Sequence, residues 1–189
     1  MLTISCQLVL GHCDLLSGNV IVQPCSSSTK SHVNRETVSF IDYEYATPAP
    51  AAFDLANHFS EWAGFECKYD NLPTPETRRT FVQEYVQSYS KYAKLDDGKT
   101  NEFYVRRLIE EVDRFRGIPG LYWGIWALIQ ASISQIDFDY TLYAELRLAE
   151  YFAWRAEQDG SRKREGREIP ARERRWGEEG VYRLIRHEE

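Results

Sequence analysis

The stretch GHCDLLSGNV, residues 11–20, contains a histidine, an aspartate and an asparagine at a spacing that could serve phosphoryl transfer. His12 precedes Asp14 by two residues, and Asn19 follows five residues later. In enzymes that move a phosphoryl group, an aspartate of this kind accepts the proton of the attacking hydroxyl and the asparagine holds Mg²⁺. The spacing matters because one loop must turn the carboxylate toward the acceptor and the amide toward the metal.

A second acidic residue on a following strand would have to complete the metal site. Asp42 supplies it, directly after the short apolar run VSFI, residues 38–41. Magnesium prefers oxygen ligands and commonly takes one or two carboxylates together with phosphates and water, so Asn19 and Asp42 fit it. The alternative is that Asp14 caps a turn and Asp42 ends a strand without further function. The two motifs in this order are more specific than either alone.

Short elements must position these residues. Apolar runs at residues 6–10, 20–22 and 38–41 predict three strands near the N-terminus. Beyond them the periodicity becomes helical, and Thr74-Pro75-Glu76 is typical of a helix start. Helices are predicted at 53–64, ending at Gly64, and at 76–93, 101–116 and 141–154, while the apolar segment 121–136 is predicted to be buried.

The apolar positions also predict which helix faces are buried. The predicted core positions are Phe81, Tyr85, Tyr89 and Tyr92, then Val105, Leu108, Ile109 and Val112, then Leu142, Leu146, Ala149 and Ala153. From Arg155 onward charges of both signs predominate, and we expect a solvated, poorly packed tail. Five residues of this tail could still dock on the body: Trp176, Val181, Tyr182, Leu184 and Ile185.

Size and composition narrow the class of protein. The chain has 189 residues, enough for one domain, and its formal net charge of −6 argues against a nucleic-acid partner. No run approaches the roughly 18 apolar residues of a membrane span. The four cysteines form no CxxC pair, which favours free thiols in a soluble, cytoplasmic protein.

Four blocks, HCDLLSGN, FIDYEYA, AFDLANHFSEW and WGIWALIQASISQIDFDY, resemble the choline and ethanolamine kinases in that order, over residues 8–154. The resemblance implies a mostly α-helical α+β fold, the C-terminal lobe of a protein-kinase-like fold with a few short strands. It also implies transfer of the γ-phosphoryl group of ATP, with Mg²⁺, to the hydroxyl of an amino alcohol. That reaction is the first step toward phosphatidylethanolamine or phosphatidylcholine.

The resemblance assigns roles to individual residues. Asp14 corresponds to the catalytic base, His12 to the residue that stabilises its loop, and Asn19 and Asp42 to the metal ligands. The positions that match the binding site for the cationic head of the substrate are Tyr45, Glu61, Trp123, Trp126 and Tyr143, with Asp54 and Asn57 as structural support. Aromatic faces attract an ammonium group by about 0.5–2 kcal/mol. The alternative for the aromatic residues is ordinary core packing.

The sequence departs from the family pattern in two places. Ala49 stands where family members often carry an asparagine seven residues after the metal-binding aspartate. No GxGxxG occurs, and ten residues precede Gly11, so a glycine-rich phosphate loop with its lysine–glutamate pair has no counterpart. We therefore expect residues 1–154 to be a kinase-like C-terminal lobe, followed by the charged tail 155–189.

Several functional alternatives stay open at this point. Leu15 and Leu16, with WALIQ and IDFD, favour ethanolamine over choline by resemblance. A choline kinase, a non-catalytic lobe that binds an amino alcohol, and an unrelated helical protein are the alternatives. The sequence leaves open whether the protein forms a homo-oligomer.

Overall fold

The computed structural model describes residues 8–23, 37–93 and 100–177. Four short strands precede a mostly helical body, which confirms the predicted α+β class with few strands. The strands are β1 (Leu8–Gly11), β2 (Val20–Gln23), β3 (Thr37–Phe40) and β4 (Thr47–Pro50). The helices are α1 (Ala51–Glu61), α2 (Pro75–Ala93), α3 (Asn101–Phe115), α4 (Ile118–Ile133), α5 (Tyr140–Gln158), α6 (Ser161–Arg164) and α7 (Ala171–Gly177).

The strands form two antiparallel pairs. β2 pairs with β3, with Val20 opposite Phe40, and β1 pairs with β4, with Leu10 opposite Pro48. The three predicted strands are confirmed, although Cys6 and Gln7 lie outside the described residues. β4 was missed because its sequence, TPAP, contains two prolines. Proline is tolerated here because an edge strand needs no N–H on its open side.

The helix starts follow local capping chemistry. The Thr74 hydroxyl accepts the N–H of Thr77 at 3.2 Å, as the predicted start of α2 requires. Thr100 caps α3 in the same way through the N–H of Phe103 at 3.3 Å. The first predicted helix is shifted: α1 begins at Ala51 and ends at Glu61, and Gly64 lies in the following turn with a φ of 64°.

The main core lies where α1, α2 and α3 meet. Val105, Leu108 and Val112 of α3 are buried there, as predicted. The prediction for α2 was wrong, because the buried face carries Val82 and Val86. The predicted aromatic stripe lies at the edge of this core, with Tyr85 and Tyr89 partly buried, Phe81 36% exposed and Tyr92 78% exposed.

Helices α4 and α5 pack closely against each other. The helix predicted at 141–154 is confirmed by α5, but the buried faces of both helices were mispredicted in part. A Cβ on Gly120 would lie 2.5 Å from the backbone oxygen of Arg147, so the close approach requires glycine there. Segment 121–136 is buried on one face, whereas several of its apolar side chains are exposed: Ile125, Leu128, Ile129, Ile133 and Ile136. The buried face of α5 carries Tyr143, Ala144, Arg147 and Glu150, while Leu142 is 52% exposed. The pattern failed because an arginine and a glutamate that pair with each other occupy core positions.

The expectation of a solvated tail from Arg155 holds for residues 163–170, which are exposed, but it is wrong for α7. α5 continues to Gln158, and α7 is packed against the body, with Arg172 2% exposed. Trp176 docks as expected, and its Nε1–H donates to Asp113 Oδ1 at 2.8 Å. The charges could be buried because they pair with opposite charges on neighbouring helices. Val181, Tyr182, Leu184 and Ile185 lie outside the described residues. None of the helices in the described part of the chain is long and apolar enough to cross a membrane.

Candidate active site

Helix α1 holds the loop that carries Asp14. The Asp54 carboxylate accepts the backbone N–H groups of His12 at 3.2 Å and of Cys13 at 2.8 Å. The Asn57 amide donates to the backbone oxygen of Cys13 at 2.9 Å. Cys13 has a φ of 61°, a left-handed conformation that costs energy for a residue with a side chain and persists where its surroundings impose it. Asp54 and Asn57 therefore hold the loop by hydrogen bonds, which agrees with the supporting role that the family resemblance implies for them.

His12 links this loop to the end of β3. Its Nε2 donates to the backbone oxygen of Ile41 at 2.9 Å, which assigns the proton to Nε2 because a carbonyl can only accept. The imidazole also packs against the ring of Tyr43, with centroids 4.6 Å apart. His12 thus connects the residue next to Asp14 with the residue before Asp42.

Asp14, Asn19 and Asp42 come together at this junction. The Asn19 amide donates to Asp14 Oδ2 at 3.2 Å and to the Asp14 backbone oxygen at 2.9 Å. The N–H of Ile41 donates to the backbone oxygen of Asn19 at 3.1 Å, which places Asp42 beside the same loop. Burial raises the pKa of Asp14 above its usual value; His12 and Asn19 oppose the shift and the Asp42 charge adds to it.

A small pocket opens beside Asp14. Its volume is about 120 Å³. All five predicted substrate-binding positions line it. The full lining is Asp14, Leu16, Glu44, Tyr45, Glu61, Phe65, Trp123, Trp126 and Tyr143.

The indoles of the pocket are fixed by hydrogen bonds. Trp123 donates its Nε1–H to Asn57 Oδ1 at 2.7 Å, and Trp126 donates to the Tyr45 hydroxyl at 2.9 Å. The two indoles meet edge to face with centroids 5.6 Å apart, and Tyr45 meets Trp123 in the same way at 5.4 Å. Core packing alone does not account for these rings, because they enclose a space that three acidic side chains also face: Asp14, Glu44 and Glu61.

Glu61 is not the unpaired countercharge that a simple reading of its position would suggest. Its Oε1 lies 3.1 Å from Nη2 of Arg147, whose side chain is fully buried. Burial raises the pKa of Glu61, and the Arg147 charge acts in the opposite direction. The Glu61 carboxylate, which lines the pocket, is therefore paired with the buried guanidinium of Arg147.

Sequence reasoning missed three pocket residues and one support. Glu44 lies in the turn between Asp42 and Tyr45, and its position inside the motif FIDYEYA was the available signal. Leu16, which entered the sequence analysis through the choice of amine alone, and Phe65 also line the pocket. His58 Nδ1 donates to the backbone oxygen of Leu15 at 2.7 Å, a second tie between α1 and the loop that helical periodicity does not reveal.

The donor set fits a magnesium ion. The described residues contain no cluster of three or more histidine, cysteine or acidic side chains that would form an all-protein metal cage. Magnesium does not need one, because it retains water and phosphate oxygens and takes one or two protein oxygens. The Asn19 amide nitrogen is committed to Asp14, which leaves its oxygen, with the Asp42 carboxylate, as the candidate ligands.

Comparisons with known proteins agree with this geometry. Residues 2–152 match the sequence profile of the family described as choline/ethanolamine kinase. A protein from Dictyostelium discoideum named probable ethanolamine kinase A is 37% identical over 148 residues, which are 78% of this chain and 38% of the relative. The Drosophila melanogaster ethanolamine kinase is 38% identical over 79% of this chain and 26% of its own length.

A choline kinase and a solved structure complete the comparison. Probable choline kinase 2 of Arabidopsis thaliana is 34% identical over 75% of this chain and 38% of the relative. The structure of the Plasmodium vivax ethanolamine kinase matches with a TM-score of 0.59 at 36% identity, over 77% of this chain and 34% of that one. The chain thus spans well under half the length of these relatives.

Proposed function

The chain belongs to the choline/ethanolamine kinase family, and from this premise we propose that it contributes the acceptor side of an ethanolamine kinase. The reaction transfers the γ-phosphoryl group of ATP to the hydroxyl of ethanolamine and depends on Mg²⁺. The domain division predicted from the sequence, a kinase-like C-terminal lobe ending at residue 154, forms part of this proposal, as do the roles of the site residues.

One observation carries the proposal: a small pocket of aromatic faces and carboxylates opens beside Asp14. The faces of Trp123, Trp126 and Tyr45 would attract an ammonium group, and Glu44 and Glu61 supply negative charge. A two-carbon amino alcohol bound there would have its hydroxyl a short distance from its ammonium. An ammonium held among the rings therefore leaves the hydroxyl near the Asp14 carboxylate.

The chain's own residues perform the acceptor half of the reaction. Asp14 accepts the hydroxyl proton as the oxygen attacks, and the Asn19 amide, which donates to Asp14 Oδ2, fixes the direction of the carboxylate. His12 keeps the loop against the end of β3. When bound, magnesium would be held by Asn19 and Asp42, and it would neutralise charge on the nucleotide phosphates.

The choice of ethanolamine over choline rests on the carboxylates of the pocket. A primary ammonium has three N–H donors and needs acceptors such as Glu44 and Glu61, whereas a quaternary ammonium has none and depends on the aromatic faces. The small volume of the pocket, about 120 Å³, also favours the smaller head. Choline phosphorylation is the second candidate, since the same rings would accept a quaternary group.

The site can be tested by binding, without ATP. Ethanolamine is titrated into the ¹⁵N-labelled 189-residue chain while the indole N–H signals of its five tryptophans are followed. We expect saturable shifts of Trp123 and Trp126, with tighter binding of ethanolamine than of choline. Trp154 and Trp176, outside the pocket lining, serve as internal controls. Absence of a shift at Trp123 and Trp126 with either amine would refute the acceptor pocket.

A further inference from the structure

A line of alternating acidic and basic side chains runs from the acceptor pocket to α7. Glu61 pairs with Arg147 at 3.1 Å, Arg147 Nε lies 3.6 Å from Glu150 Oε2, and the same Glu150 oxygen lies 3.5 Å from Nε of Arg172. None of the four side chains is more than 6% exposed. Because solvent screens buried charges little, a change at Arg172 can alter the ion pair at Glu61.

Arg172 also contacts α1 directly. Its Nη2 donates to the Ser60 hydroxyl at 3.2 Å, and Ser60 directly precedes Glu61 in the chain. A further bond goes to the backbone oxygen of Arg116. Its Nη1 pairs with Glu173 at 2.8 Å. One guanidinium group of α7 thus touches the end of α1 and reaches the pocket carboxylate through two intermediate side chains.

Arg147 is shared between two carboxylates and is incompletely satisfied. Its Nε and Nη1 have no hydrogen-bond partner within the described part of the chain, and neither does Glu150 Oε2. The guanidinium therefore lies between two carboxylates, Glu61 and Glu150, that compete for it. Arg172 neutralises Glu150 on its far side, and this leaves Arg147 to Glu61.

Helix α7 lies beyond the segment that family likeness describes. The family match ends at residue 152, whereas α7 spans Ala171–Gly177. Its indirect link to Glu61 through Glu150 and Arg147 is therefore a property of this chain that the comparisons do not assign.

We propose that Arg172 is a positioning residue for the acceptor site. By neutralising Glu150 it keeps Arg147 paired with Glu61. Glu61 thereby stays in place and presents a negative charge to a primary ammonium. The inference rests on the proposed function of the pocket. It makes α7 an element that determines the preference for a primary over a quaternary amine. Without Arg172, Arg147 would shift toward Glu150, and the buried Glu61, left without its cation, would take up a proton.

The test measures amine affinity in variants of the 189-residue chain by the indole N–H titration. In Arg172→Met we expect ethanolamine to bind about fivefold or more weakly, because its N–H groups lose a charged acceptor, and choline to change less than about twofold. Arg172→Lys keeps the charge and should retain part of the preference. Arg174→Met removes the same charge from the exposed face of α7 and should leave both affinities unchanged.

The double variant Arg172→Met/Glu150→Gln separates positioning from folding. It removes one charge of each sign, so no second carboxylate competes with Glu61 for Arg147. Ethanolamine affinity should therefore return toward the wild-type value. If Arg172→Met does not fold, the double variant decides the question by the same criterion. The proposal is overturned if a folded Arg172→Met binds both amines as the wild type does, or if both affinities fall equally without recovery in the double variant. Wild-type chain that binds neither amine would instead refute the acceptor pocket itself, and this inference with it.

Discussion

At the scale of single residues, Trp123 and Trp126 lie three positions apart on α4, but their hydrogen bonds predict different roles. Trp126 donates its Nε1–H to the Tyr45 hydroxyl inside the pocket. Trp123 donates to Asn57, whose amide holds the backbone of Cys13 in the loop that carries Asp14. Losing the Trp126 indole should affect substrate affinity, and losing the Trp123 indole should also disturb the position of Asp14.

This difference predicts a split in the kinetics of two matched variants. Trp126→Phe should raise KM for ethanolamine by about three- to tenfold with little change in kcat, because a weaker aromatic face remains. Trp123→Phe should raise KM similarly and also lower kcat, because Asn57 loses a partner that orients it. This prediction is checked by measuring KM and kcat of the two variants side by side in steady-state kinetics. Equal effects on kcat would mean that Asn57 holds the loop without help from Trp123.

Much of the candidate site could be predicted from the sequence, because the blocks that resemble the family are local. His12, Asp14 and Asn19 lie in one loop, and their spacing alone specifies their relation. The pairing of Glu61 with Arg147 joins residues 86 positions apart, and no periodicity reports it. Contacts of that kind depend on how α1 and α5 pack, which only the folded chain determines.

At the scale of elements, the approach of α4 to α5 sets the position of the pocket wall. A Cβ on Gly120 would meet the backbone oxygen of Arg147 at 2.5 Å, a contact that no side-chain rotation relieves. α5 would have to move, and with it Tyr143 and Arg147. The glycine therefore serves the pocket as well as the packing.

Gly120→Ala should accordingly destabilise the fold by about 1–3 kcal/mol and weaken ethanolamine binding. Gly177→Ala, where no atom of the described residues lies within 4 Å of the added Cβ, is the matched control and should change neither property. Thermal unfolding followed by circular dichroism, together with the indole titration, measures both. A Gly120→Ala protein with wild-type Tm would show that α4 and α5 can separate without cost.

The error in the buried face of α5 has a clear physical source. Apolar periodicity identified α3, whose buried face is aliphatic, but it chose the wrong face of α5. The buried face of α5 carries Arg147 and Glu150, which a hydrophobic pattern assigns to solvent. Buried ion pairs reverse the usual relation between charge and exposure, so patterns based on hydrophobicity fail where such pairs occur.

At the scale of the whole molecule, other ion pairs of this kind explain why the segment 155–177 packs against the body. Arg116 bridges Glu157 at 2.7 Å and Glu173 at 3.0 Å, which ties α3 to α5 and α7. A segment that reads as a charged tail thereby becomes part of the structure around the site. The fold class and family could be predicted from motif order, whereas this closure required knowledge of which charges meet.

The central claim is that the pocket presents an amino alcohol hydroxyl to Asp14 for phosphorylation. The most direct test follows phosphoethanolamine and phosphocholine by ³¹P NMR, with ATP and Mg²⁺, in the 189-residue chain and in the longest protein that its transcript encodes. The account predicts phosphoethanolamine as the main product, with kcat/KM at least about tenfold above that for choline. It also predicts a loss of about 10²-fold or more in Asp14→Asn, which keeps an oxygen to accept from Asn19 and should keep its Tm. Formation of neither product by any form, or an Asp14→Asn protein as active as the wild type, would contradict it.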